Sequence, residues 1–110
     1  MAEFVELLIE AGATFSNEIT VREDDGTAKN LASFSASSQL RKSYYSSTAT
    51  DFTMTVSDAA NGVITMSLSA ANTANIRAGR YVYDVELTDS QGVVTRIFEG
   101  IAVVLPNVTR

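Results

Sequence analysis

The 110-residue chain has no cysteine, no histidine and a single proline. Without cysteine there can be no disulfide and no thiolate metal site. In a small β-rich chain this points to folding inside a cell, because small secreted domains are commonly stapled. Without histidine the commonest general base and metal ligand is missing. A nucleophile would then need a Ser or Thr beside a lysine or carboxylate. Lys29 and Lys42 are the only lysines, and both sit in or beside polar loop sequence. The chain is therefore expected to be no enzyme, with no catalytic residue, no cofactor and no metal site.

Basic charge is also scarce. Eight Lys and Arg face thirteen Asp and Glu, for a net charge of -5, and Arg41-Lys42 is the sole basic pair. That balance excludes a phosphate backbone as partner, so no nucleic acid is expected. The longest apolar run, Ile101 to Pro106, is far too short to span a bilayer. The opening "MAEFVELLIE" is apolar but carries only acidic charges, unlike the basic start of an export signal. A soluble protein with no membrane partner and no export signal is expected, forming one domain over residues 1–110.

What is present is mostly strand signal. Val5, Leu7 and Ile9 share one face of a first strand, with Glu6, Leu8 and Glu10 on the other. Phe15, Ile19 and Val21 alternate with polar residues in a second strand, and "EDDGT" supplies a turn. "EDDG" could form half of a calcium site, but a solvated turn is the simpler reading. A third strand runs through Phe34, Ala36, Ser38 and Leu40, with Leu31 plugging the core before it. Phe52, Met54 and Val56 make a fourth strand, and "DAANG" a hairpin loop with Asn61-Gly62 suited to positive φ. Ile64, Met66 and Leu68 point inward from a fifth.

Ser69 then suits the cap of one helical turn running towards Ile76. Tyr81, Tyr83, Val85 and Leu87 share the inner face of a sixth strand, and Val93 to Leu105 forms the last, bent or bulged at Gly100. Asp84 lies on the outer face, placed for a cross-strand pair with Arg96. The expected core includes Phe52, Met54, Ile64, Met66, Leu68, Tyr81, Tyr83 and Val85. One of Tyr44 and Tyr45 is expected to be core as well, since neighbours in a strand face opposite ways. "NVT" at 107–109 matches a glycosylation sequon by chance.

About seven strands with one helical turn before the sixth is the immunoglobulin-like count: an all-β, two-sheet sandwich. Immunoglobulin domains carry Asp-x-Gly-x-Tyr-x-Cys at the start of the sixth strand. In "RAGRYVYDV" the aligned residues are Arg77, Gly79, Tyr81 and Tyr83. Gly79 and Tyr81 match, which makes Tyr81 a candidate corner tyrosine, while Tyr83 replaces the cysteine.

A wider resemblance spans nearly the whole chain. "AGATFSNEITVREDDGTAKNL", "FTMTVSDAANGVITMSLSAANTANIRAGRYVYDVEL" and "VTRIFEGIAVVLPNVTR" resemble small β-sandwich domains of tailed-phage virion proteins. Examples are the amino-terminal domains of baseplate upper proteins and short tail or neck components. The resemblance implies a non-catalytic structural protein of the virion, assembled in the host cytoplasm. It would act as an assembly or attachment module of tail, neck, baseplate or capsid through contacts with other virion proteins, including copies of itself. The interaction set expected for that role is Val5, Leu7, Ile9, Ile101, Val103 and Leu105, at an open sheet edge. On that view residues 1–9 are an arm whose removal leaves a folded monomer. Gly79, Tyr81 and Tyr83 are structural. The alternative is a carbohydrate-binding or adhesive module with Tyr44 or Tyr45 as its platform.

Overall fold

A computed structural model describes residues 3–108. The strands are β1 (Glu3–Phe4), β2 (Leu7–Glu10), β3 (Phe15–Thr20), β4 (Ser35–Arg41) and β5 (Thr50–Asp51). They continue with β6 (Thr53–Asp58), β7 (Val63–Leu68), β8 (Gly79–Thr88) and β9 (Val94–Leu105), and one helix, α1 (Ala70–Ala74), lies between β7 and β8. One sheet follows the order β1-β9-β8-β4-β5, with β2 continuing β1 along β9; the other is β3-β7-β6. The chain is an all-β sandwich with the strand order of an immunoglobulin-like domain.

Alternation explains the layers. In β7, Ile64, Met66 and Leu68 are buried, with Val63, Thr65 and Ser67 between them facing out. In β8, Tyr83, Val85 and Leu87 are buried opposite Ala36, Ser38 and Leu40 of β4. Leu31 is sealed into the core at one end. Ser69 caps α1 by accepting from the Asn72 amide at 3.1 Å, and the helix carries the chain from one sheet to the other. Of the expected core, Met54 and Tyr81 are only half-buried, and the rest is closed to solvent.

Three local expectations fail for physical reasons. The fourth strand is not continuous, because Phe52 leaves the strand pattern and its amide donates to the Ser38 carbonyl at 3.0 Å. The two residues before it pair with β4 and the strand after it pairs with β7, so the chain changes sheets there. The buried Phe52 ring lies 5.9 Å from Phe15 and 6.4 Å from Tyr83, between the two sheets.

The irregularity of the last strand falls at Ile97, not Gly100. The β8 register passes from Val85 opposite Phe98 to Glu86 opposite Arg96, leaving Ile97 as the extra residue. The bulge lets two consecutive side chains, Ile97 and Phe98, both pack on the core. Gly100 serves a different need, since a Cβ there would lie 2.2 Å from the Val5 carbonyl oxygen. It is glycine because the first strand's backbone passes directly over it.

Tyr44 and Tyr45 are both exposed, the second almost completely at 97%. Strand alternation does not govern them because they lie in a turn. That turn is closed by the Ser46 amide on the Ser43 carbonyl and by Arg41 donating to the Ser46 carbonyl at 2.6 Å.

Candidate functional site

Among the described residues no cluster of acidic or metal-ligating side chains could hold a metal ion. In the "EDDG" turn, Asp25 accepts from the Thr27 amide and hydroxyl, which holds its carboxyl below the usual range. That is a self-satisfied turn. The sequon's Thr109 lies outside the described residues.

The terminal strands are the distinctive region. β1 and β2 run parallel to β9, with Glu3 and Phe4 opposite Phe98 and Glu99, and Leu7 to Glu10 opposite Ala102 to Leu105. At the break between β1 and β2, the Val5 amide donates to the Glu99 carbonyl at 2.9 Å. The Val5 carbonyl in turn accepts from the Tyr83 hydroxyl at 2.5 Å. Where immunoglobulin domains place a cysteine, this chain has a tyrosine that ties its first strand to the core.

Burial pushes the Tyr83 hydroxyl up to about 12 from its ordinary 10.0. The folded state thus favours the neutral phenol. Its contribution is complete below the unfolded value and is lost as pH rises through the folded one. Unfolding followed against pH should show stability falling between about pH 10 and 12. In Tyr83→Phe that part of the decline should be missing.

Tyr81 takes the corner role. Its hydroxyl donates to the Arg77 carbonyl at 2.6 Å, four residues upstream, and Lys42 Nζ sits 4.8 Å from its ring centre. Gly79 has φ +148, in the region that disfavours side chains, where the chain enters β8. Gly79, Tyr81 and Tyr83 thus all lie at this corner or in the strand leaving it.

The expected interaction set divides in two. Leu7 and Ile9 are buried at 5% and 0%, packed in the main core beside Ala102 and Val104. They are therefore core residues, and residues 3–10 are an integral sheet edge, not a removable arm. Val5 is half-buried over Gly100. Ile101 and Val103 are half-exposed on the opposite, outer face, and Leu105 is exposed at 40%.

That outer face carries more than the sequence expectation held. Leu8, 60% exposed, sits beside Val103; Phe4, 64% exposed, sits beside Glu99. Val82 of β8 lies beside Ile101. The signal for Leu8 was a leucine on the polar side of a predicted strand; for Val82 it was a valine between Arg80 and Asp84 on the outer face. The apolar strip is bordered by charges of both signs: Arg80, Asp84, Glu99 and Arg41. Asp84 does pair with Arg96, at 3.3 Å.

On the same sheet, reaching from the strip's border at Val82, Asp84 and Glu99, is a concavity of about 730 Å³ whose far side is formed by Gln39, Arg41, Tyr44 and Asp51. Gln39 donates to Asp51 at 2.8 Å and accepts from Arg41 at 2.9 Å.

No protein-family model and no characterised protein matches this sequence. Among solved structures, the N-terminal domain of phage TP901-1 ORF48 has the same fold, with a TM-score of 0.58 and 13% identity. The match covers 94% of this chain and 97% of that one. A Listeria monocytogenes internalin-like protein, lmo2027, matches 96% of this chain over 28% of its own, with a TM-score of 0.44. A family 123 glycoside hydrolase from Clostridium perfringens matches 98% over 24%, with a TM-score of 0.42; both share 13% identity with this chain.

Proposed function

We propose that this sandwich is a non-catalytic structural module of a phage virion, docking onto other virion proteins through the outer face of its paired terminal strands. The observation that carries this reading is the strip formed by Phe4, Leu8, Ile101, Val103 and Leu105. Phe4, Leu8 and Leu105 stand exposed, and Ile101 and Val103 half-exposed, on a hydrogen-bonded sheet rimmed by charge. Contiguous exposed apolar surface with a polar border is the usual mark of a protein contact. The end-to-end likeness to a phage protein's domain supports the virion setting.

The test separates surface from core. In Leu8→Glu/Leu105→Glu both side chains point to solvent, so unfolding should change by no more than about 0.5 kcal/mol per site. The variant chain should be missing from purified particles that incorporate the wild-type chain. Incorporation at the wild-type level would contradict the proposal.

A second reading has an observation in its favour. Tyr44 and Tyr45 are both exposed, and Tyr44 borders a concavity furnished with planar polar groups. That arrangement suits stacking on a sugar ring with directional hydrogen bonds. Glycan binding by the isolated domain that disappears in Tyr44→Ala would favour it.

A further inference from the structure

The outer face of the larger sheet is ordered in rows across its strands. The registers place Leu8, Val103 and Arg80 in one row, and Ile101, Val82 and Arg41 in the next. The third row contains Phe4, Glu99, Asp84 and Gln39. The first and third rows complement each other position by position: leucine against phenylalanine, valine against the glutamate stem, arginine against aspartate. The middle row is apolar at its centre, where Ile101 and Val82 would meet their own copies, and charged at its ends, with Glu6 beyond Ile101 and Arg41 beyond Val82.

We infer that this face binds a second copy of the same chain, about a two-fold axis running across the strands along the Ile101–Val82 row. The inference rests on the docking reading above and names the partner. Such an axis reverses strand direction while keeping lateral order, so each first row lies over the other chain's third row. Arg80 is exposed and has no ion pair among the described residues. It meets the partner's Asp84, which already holds Arg96 and has lone pairs to spare. Leu8 covers Phe4, the two most exposed apolar groups of the strip.

The other face-to-face two-fold, parallel to the strands, is disfavoured by charge. It lays Glu99 over Asp84 and Val103 over Arg80, and juxtaposed like charges cost more than the apolar contact returns. Ile101 and Val82 sit on the preferred axis, so each faces its own copy across stacked sheets about 10 Å apart. Arg41 lies at the rim, its guanidinium held by the Ser46 carbonyl and Gln39.

The absence of cysteine makes the axis directly readable. Val82→Cys chains should be joined to one another by a bis-maleimide spanning roughly 10 Å, because position 82 faces itself. Phe4→Cys chains should not join to themselves, since two rows of about 7 Å each separate position 4 from its copy. A mixture of Phe4→Cys and Leu8→Cys chains should join. Sedimentation equilibrium at about 0.5 mM, in the range of a small interface, should give the mass of two chains for the wild type. Val82→Arg should give one chain with unchanged unfolding.

A one-chain mass for the wild type overturns the inference. So does a two-chain mass in which position 4 links to itself and position 82 does not. If the wild type is monomeric but Leu8→Glu/Leu105→Glu still fails to enter particles, the two-fold pair is lost and the docking reading stands.

Discussion

Gly100→Ala is expected to loosen the first strand from the sheet and lower stability by roughly 2–5 kcal/mol. The added methyl would lie 2.2 Å from the Val5 oxygen, 3.0 Å from its carbonyl carbon and 3.2 Å from its nitrogen. All three are backbone atoms, so no side chain can swing aside. Relief requires Val5 to lift. That breaks its amide bond to Glu99 and the Tyr83 bond to its carbonyl. Two lost hydrogen bonds at about 0.5–1.5 kcal/mol each, added to about 1–3 kcal/mol for overpacking, span about 2–6 kcal/mol, of which partial relaxation of the strand trims the upper end. Hydrogen exchange should show the Val5 amide losing protection while β8 and β9 keep theirs beyond the break. Wild-type stability with a protected Val5 amide would mean that the strand does not cross Gly100 this closely.

Leu68→Ala is expected to cost about 2–5 kcal/mol, through lost transfer energy and the cavity left behind. Leu68 is 1% exposed, at the end of β7 opposite Phe15, in the cluster that contains Phe52, Met66 and Tyr83. A domain of this size loses roughly 4 °C or more in Tm per kcal/mol, so the melt should move by about 8 °C or more. Urea unfolding should show a lower midpoint with an unchanged slope. A midpoint near that of the wild type would place Leu68 outside the core.

The parts legible in the sequence are those governed by short-range chemistry. Period-two alternation located Ile64, Met66 and Leu68, and the Ser69 cap needs only a hydroxyl three residues before a free amide. The corner at Gly79 and Tyr81 is likewise local, with a hydroxyl reaching back four residues. Apart from Tyr44 and Tyr45, which a local turn takes out of the strand pattern, the expectations that failed depended on a partner distant in the chain. Gly100 reads as a bend until Val5, ninety-five positions earlier, is known to cross it. Phe52 reads as one more alternating residue until its flanks are seen to join different sheets. Leu7 and Ile9 carry the pattern of a strand, but nothing local tells whether its apolar side closes this core or another chain's. Parallel pairing with β9 decides that.

The same parallel pairing has a mechanical consequence. β2 and β9 point the same way, so the two ends of the chain leave the sheet from opposite ends of one seam. A pull applied between the termini therefore slides the strands along each other and loads the register from Leu7–Ala102 to Glu10–Leu105 all at once. A hairpin pulled from its open end instead gives way one pair at a time. Tension along the chain would meet the domain in its stiffest direction, a useful property for a link in a load-transmitting assembly.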